Sequence, residues 1–548
     1  MRATEISREH VSGLFFWLGV SLIVGLGTNQ LLKDGSFWMD EAAVAMSFLK
    51  MEPSEFIGQL RGGQNFPRLY LILIAQLEGL FGYQTMVVRF LPYVFFVAGT
   101  VLWLRLLRLR FGAVPLLLCL AIVLSLVPTS WVWYSAMLKQ YTFDVFVALV
   151  PFSLSDAYFE ESLRKGRRIW RPFLLTLFCA MSYTYALALL ARVVGWYFGG
   201  FGAAGAGGLR QGMREGRHRL SARAVLVFVG GVLLFSLSLW FTDLRHTAEQ
   251  DFVFEFWKQC ILARAWDDWG QVLALLDRFA LGWYWGATDF GSAHLPFIPM
   301  TILRIAFCLG VLRIAWSLFD RRAPTSPELE KWGTRSVGCL FCAGGLLAAS
   351  ALVEYPICAG RLTLFVAFGL QIVLLEGLSL VDTALRRFRL GAVVSTALLV
   401  VMIGLVLPTA HRSTARVIHS DPPENIRPLA RRMRERGDLP VLVLPCARKQ
   451  ATTLPEGFGD ARVEYLAFWD SFELVAPAGG AAWVLDVPSK WKFCRASTWR
   501  MENLSTSFEP FHTERDTARL YLAHFPEDEV EEMPEPPPEP SEATATGP

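Results

Sequence analysis

Charge is what this sequence has least of. Asp, Glu, Lys and Arg make up 18% of its 548 residues, where a soluble domain carries about a quarter, and that deficit excludes an ordinary water-soluble globule. No excess of one sign exists either: the formal net charge is +3, and the basic residues fall in short clusters between apolar runs. Such clusters mark membrane topology and give no reason to expect a nucleic-acid partner. Metal-ligand spacing is missing from the cysteines, since seven of the nine (Cys119, Cys179, Cys260, Cys308, Cys339, Cys342 and Cys358) lie in or beside apolar runs and read as packing residues. No short fixed repeat is present, which excludes a solenoid. No small-residue cleavage site follows the first apolar run, residues 11–32, so that run reads as a retained span. What remains is 53% hydrophobic, with 19 Trp and 41 Phe, the composition of a polytopic membrane protein.

The basic clusters order the spans. Arg2 and Arg8 place the N-terminus in the cytoplasm and the end of the first span outside. The next cluster, Arg105, Arg108 and Arg110, is also cytoplasmic, so only one of the two apolar pieces before it crosses. Residues 69–81 are short and carry Gln76 and Glu78, which suits an interfacial helix; residues 86–104 then cross. Alternation continues through 113–127, 143–158, 173–186, 187–201, 224–241, 297–319, 337–352, 364–380 and 392–407, giving about 11 spans. Residues 1–410 thus form a mostly α, polytopic helical bundle. Residues 411–526 change in composition: a helical pattern over 421–436 and strand-like runs at 440–444, 481–487 and 518–523 predict a small external α/β domain. Residues 527–548 are acidic and Pro-rich and are predicted to be disordered. Cys446 and Cys494 lie in the external domain, where a disulfide and two free thiols are both chemically permitted.

Gly200, Gly202 and Gly205 spell the dinucleotide fingerprint, but they end a membrane span before an Arg-rich loop and lack the required strand, helix and acid; they read as helix-packing residues. The more informative polar residues all face outward. Asp40 and Glu41 follow the first span, as a general-base pair or as the acidic start of a short amphipathic helix. Lys139, Gln140 and Tyr141 join an outward to an inward span, and Arg361 occupies the matching place after a later one. Alone, each cation reads as a side chain snorkelling to the interface. Two cations and a carboxylate pair on one face suit a phosphorylated lipid.

In order along the chain come Asp40-Glu41, an N-x-P-x-L-Y element (Asn65, Pro67, Leu69, Tyr70), Phe81-Gly82 with Arg89, Lys139 with Tyr141, a Tyr-Pro-x-x-x-x-Arg element (Tyr355, Pro356, Arg361), and E-N-I-R-P-L from Glu424 to Leu429. This series resembles the polytopic GT-C glycosyltransferases, and within them the group of protein O-mannosyltransferases, aminoarabinose transferases and rhizobial lipopolysaccharide-core transferases. The chain departs from that pattern at Phe66-Pro67, Lys139-Gln140-Tyr141 and Leu362, which leaves the subfamily and the sugar open. The resemblance implies a multi-pass protein of a bacterial inner membrane, with a periplasmic active site and C-terminal domain. It implies transfer of a sugar, with inversion, from a polyprenyl-phosphate donor to a hydroxyl of an envelope glycan, lipid or protein. Asp40, with Glu41 beside it, would be catalytic; Lys139, Gln140, Tyr141, Arg361, Arg68 and Tyr70 would bind substrate. No cofactor is required, and one Asp-Glu pair makes a poor shell for a metal, although a divalent ion stays compatible. The rival reading is a transporter or lipid-linked-glycan flippase, which the sequence disfavours because the chain shows neither related halves nor charges at the centres of its spans.

Overall fold

A computed structural model describes residues 2–37, 39–58, 60, 66–165, 170–182, 184–203, 221–241, 258–284, 294–319, 327–357 and 363–419, and towards the C-terminus 426–435, 439, 441–443, 451–454, 463–465, 481–486, 507–514 and 518–524. The expected disordered tail, Arg361, Cys358, Cys446 and Cys494 lie outside these residues.

The helices are α1 (Arg2–Leu32), α2 (Met39–Lys50), α3 (Arg68–Phe81), α4 (Thr85–Phe111), α5 (Pro115–Leu126), α6 (Ser130–Tyr134), α7 (Tyr141–Ser153), α8 (Asp156–Phe159), α9 (Trp170–Leu177), α10 (Tyr185–Ala203), α11 (Ala222–Leu239), α12 (Trp269–Leu281), α13 (Phe297–Phe319), α14 (Pro327–Leu352), α15 (Leu364–Leu385), α16 (Gly391–His419) and α17 (Arg427–Glu435). Among the described residues six of them are long and apolar enough to cross a membrane: the 8–32 part of α1, α4, α13, α14, α15 and α16. The pair Tyr141–Ser153 and Asp156–Leu163 adds a seventh if it counts as one span, bent by 81°. Pro115–Leu126, Tyr185–Tyr197 and Ala222–Ser238 are apolar but shorter. The span read over 173–186 is broken, for α9 ends at Leu177 and α10 starts only at Tyr185. The break turns Ser182 and Thr184 towards a buried carboxylate described below. α3, with 14 residues, rises roughly 21 Å, short of the hydrocarbon thickness.

Two ion locks hold the two ends of α4. At one end Arg89 pairs with Glu41 of α2. At the other, Arg110 makes a two-pronged contact with Glu376 of α15 (Nε to Oε1 2.7 Å, Nη2 to Oε2 2.8 Å), which Arg313 of α13 and Ser336 of α14 complete. The two arginines are about six turns apart, roughly 30 Å, close to the thickness of a bilayer core. Arg110, read from the sequence as a topology marker, is thus also a partner for a carboxylate that could not stay buried unpaired.

Small residues let neighbouring helices touch. α13 and α15 cross at Gly310 and Gly377, where a methyl at Gly377 would overlap the Ala306 carbonyl oxygen.

The C-terminal strands β1 (Val441–Val443), β2 (Val463–Tyr465), β3 (Ala481–Asp486), β4 (Ser507–Glu514) and β5 (Ala518–His524) form one mixed sheet in the order β2-β1-β3-β5-β4. β1 runs parallel to β2 and β3, and β5 antiparallel to β3 and β4. Register pairs Val441 with Trp483 and Val443 with Leu485. The period of two puts these four on one face, where they pack on Ile426, Leu429, Ala430 and Met433 beside α17. The strands read at 440–444, 481–487 and 518–523 are β1, β3 and β5; β2 and β4 were not legible.

One cysteine reading is corrected. Cys260 is disulfide-bonded. The five other described cysteines are free, so its partner lies outside the described residues. It ends a short 3-10 helix (Lys258–Cys260) between α11 and α12, and its carbonyl accepts from the Ile357 amide at 2.8 Å.

Gly377→Ala is expected to lower stability by about 1–3 kcal/mol through overpacking. Gly404→Ala, with nothing within 4 Å of the added carbon, should be neutral or stabilising by up to about 1 kcal/mol. Thermal unfolding of the detergent-solubilised protein reads both, and equal effects would contradict the close crossing.

Candidate functional site

α2 opens with Asp40 and Glu41 in its first turn, where carboxylates complement the helix dipole. The two are then treated differently. Glu41 is 1% exposed. Its Oε1 accepts from Arg89 Nε at 3.0 Å and its Oε2 from Nη2 at 2.7 Å. Arg89 Nη1 donates to the Gly35 carbonyl at 2.6 Å and Nη2 to that of Ser36 at 3.1 Å. The guanidinium lies 5.0 Å from the Phe37 ring centroid. A buried pair is tolerable only with such complete hydrogen bonding. Asp40, by contrast, is partly exposed.

Glu41 Oε1 also accepts from the Leu138 amide. That bond sets the start of α2 against the turn between α6 and α7, so the residues following both partners in sequence or preceding them share one neighbourhood: Asp40 on one side, Lys139 on the other. Lys139, Gln140 and Tyr141 are all buried, at 3%, 8% and 6% exposure. Tyr141 packs edge-on against Tyr134, with centroids 4.8 Å apart. Gln140 Oε1 has no hydrogen-bond partner among the described residues. A cavity of about 20 Å³ beside the ion pair, lined in part by Gln30, Ser36 and Trp133, has room for a water and none for a sugar.

α3 contributes Arg68 and Tyr70. Arg68 donates to the Phe66 carbonyl at 2.9 Å and to that of Gly58 at 2.8 Å, which shapes its own loop. Tyr70 is fully buried among Phe66, Phe95 and Phe143. Its hydroxyl has no partner among the described residues.

Asp144 is the residue that sequence reasoning missed. It lies one turn after Gln140 in α7, buried, and accepts from Ser182 Oγ, which in turn is 3.2 Å from Thr184 Oγ1. Among the described residues no cation is paired with it. Burial, and secondarily the Asp144 carboxylate, raises the pKa of Tyr70 and of Tyr355 above that of an ordinary phenol. Both phenols therefore stay protonated. The signal was available: an ionisable residue inside an apolar run is a functional candidate by default. Tyr355 itself is placed by Arg264, which pairs with Glu354 at 2.8 Å, and by the Ile357 to Cys260 hydrogen bond.

The structure thus brings Asp40, Glu41 and the Lys139–Tyr141 turn to one end of the bundle, with Tyr70, Asp144 and Tyr355 clustered nearby. Among the described residues no three His, Cys, Asp or Glu side chains gather as a metal shell would require.

No protein-family model matches the chain, and no curated protein matches it. Solved structures that resemble it include ArnT from Cupriavidus metallidurans in the apo state, 12% identical with a TM-score of 0.39, over 95% of this chain and 98% of that one, and ArnT from the same organism bound to undecaprenyl phosphate, 13% identical with a TM-score of 0.36, over 92% and 97%. At those values the likeness carries no weight for the chemistry of this chain.

Either Glu41→Gln or Arg89→Met is expected to destabilise the protein by about 3–5 kcal/mol, because each leaves a buried charge uncompensated. The double variant should lose less than either single. Denaturation midpoints in detergent check this, and strictly additive losses would remove the pair from its structural role.

Proposed function

We propose that the chain is an integral membrane glycosyltransferase that moves a sugar from a polyprenyl-phosphate donor to an acceptor hydroxyl. The observation that supports this reading is the Glu41 to Leu138 bond, which ties the first turn of α2, with its partly exposed Asp40, to the turn that carries Lys139. The ordered sequence elements from Asp40 to Arg427 support the same reading.

In this mechanism Asp40 takes the proton of the acceptor hydroxyl while that oxygen bonds to the anomeric carbon from the face opposite the phosphate. The carbon–oxygen bond to phosphate breaks, and its electron pair leaves on the phosphate oxygen. Lys139 and Arg361 balance the charge gathering there. The proton passes from Asp40 to water, and the sugar inverts. Glu41, with both oxygens engaged, orients rather than reacts. The Gln140 carbonyl and the Tyr70 hydroxyl are assigned to sugar hydroxyls, Tyr355 to the same cluster, and Tyr141 and Arg68 to the walls. Neither a nucleotide nor a metal is needed, since the donor already carries the activated bond. The disulfide at Cys260, in the loop hydrogen-bonded to Ile357 beside Tyr355, is the kind of bond an oxidising compartment sustains, which supports reading the acceptor side as the external, periplasmic face.

Asp40→Asn is expected to lower turnover of a labelled polyprenyl-phosphate sugar by about 100-fold to 10,000-fold, the range of a lost general base, with the unfolding temperature unchanged. Purified protein in detergent, assayed for acceptor-dependent release of polyprenyl phosphate, provides the measurement. Retention of more than about a tenth of wild-type turnover, above that range, would remove Asp40 as the base. Lys139→Ala should act instead on the donor, weakening its binding by about 1.5–3 kcal/mol for a charge-assisted hydrogen bond; unchanged affinity would return Lys139 to an interfacial snorkelling role.

A further inference from the structure

The strap between α1 and α2, residues 33–37, decides where Asp40 stands, and it is gripped from two sides. Arg89 holds the carbonyls of Gly35 and Ser36 from the helical bundle. The opposite grip comes from the segment that opens the C-terminal domain. The Ile426 amide donates to Ser36 Oγ at 2.8 Å. Arg427 Nη1 pairs with Asp34 Oδ2 at 2.5 Å and also donates to the Asp34 carbonyl. Its Nη2 donates to Thr85 Oγ1 at 2.9 Å, and that hydroxyl donates to the other Asp34 oxygen at 2.5 Å. Further contacts come from α16 and the domain, since Lys33 Nζ donates to the Val417 carbonyl at 2.8 Å and the Tyr83 hydroxyl to that of Thr453.

The strap also stores strain at the gripped residue. Asp34 has φ of 44°, in the left-handed region that an L-residue leaves unless its surroundings hold it there. Arg427, Thr85 and the Asp34 carboxylate supply that hold, all within one guanidinium's fork. A domain that merely rested on the bundle would need no such contact on a residue held in the left-handed region.

We infer that Arg427 is a positioning residue for the transfer reaction: through Asp34 it fixes the strap, and with it the first turn of α2, in the conformation that aims Asp40 at the acceptor hydroxyl. The inference rests on the reading of Asp40 as the base. Arg427 touches neither donor nor acceptor, so its loss should move the catalytic step and leave donor recognition alone. A displacement of about 1 Å at a reacting group is enough for a loss of about 100-fold.

The test uses the full chain in lipid nanodiscs with undecaprenyl-phosphate-linked sugar, steady-state kinetics and hydrogen exchange on the same samples. Arg427→Ala should lower kcat by about 10-fold to 100-fold while the donor KM stays within about three-fold, and the peptide covering 33–37 should exchange faster while α4 and α15 keep their protection. Arg427→Lys keeps the charge but cannot fork to Asp34 and Thr85 together, and should recover part of the lost kcat. Asp34→Asn, which tolerates the left-handed backbone, gives an independent variant and should reproduce the kcat loss. Wild-type kcat in both Arg427→Ala and Asp34→Asn would overturn the inference, as would a kcat loss accompanied by faster exchange throughout the bundle in both. Asp40→Asn run alongside separates the two readings. If it keeps turnover while Arg427→Ala loses it, the base assignment falls and the hold of Arg427 on the strap stands.

Discussion

Everything at the mouth of this bundle depends on one buried ion pair. A carboxylate and a guanidinium withdrawn from water are costly unless each lone pair and each N–H finds a partner, and the Glu41–Arg89 pair meets that demand by recruiting the Gly35 and Ser36 carbonyls and the Leu138 amide. Satisfying the pair therefore fixes three separate pieces of chain: the strap after α1, the start of α2 and the turn before α7. The segments that carry Asp40 and Lys139 are drawn to the same ion pair as a by-product. The chemistry proposed for the site needs that adjacency, and nothing in either residue alone would create it.

The same economy recurs along the bundle. α4 is tied by arginine at both ends, to Glu41 and to Glu376, so that the helix carrying Arg89 cannot slide relative to α15 without breaking a dry ion pair. Glycines stand at several of the close helix crossings, as at Gly310 and Gly377 of α13 and α15 and at Gly195 of α10 against Thr334 of α14. The result is a stiff frame tied by buried ion pairs near both ends of α4, and a C-terminal sheet domain whose first helix begins at the arginine that reaches back to Asp34. Stiffness matters here, because a general base acts only when held within a fraction of an ångström of its target.

Much of the frame was legible in the sequence and much of the site was not. Apolar runs of about 20 residues announce spans because the bilayer sets their length, and β1, β3 and β5 announce themselves by short β-branched and aliphatic runs. The acidic pair at 40–41 was visible for the same reason, standing alone after a span. What separates its members is a partner 48 residues away, and long-range pairing leaves no trace in local periodicity. Asp144 escaped notice because it lies in an apolar run that was scanned for length, and the break between α9 and α10 that supplies its Ser182 hydrogen bond carries no proline to mark it. Cys260 looked like a packing residue because its neighbourhood is aromatic and apolar, and nothing local in the sequence marks it as one half of a bridge.

The account stands on where a polyprenyl phosphate binds. A cryo-electron-microscopy structure of the Asp40→Asn variant in nanodiscs with a polyprenyl-phosphate sugar measures this directly. The predicted result is a phosphate oxygen within about 2.7–3.2 Å of Lys139 Nζ, with the anomeric carbon on the side of residue 40 and the Glu41–Arg89 pair intact behind it. A lipid phosphate bound away from the Lys139 turn, with residue 40 facing only water, would contradict it.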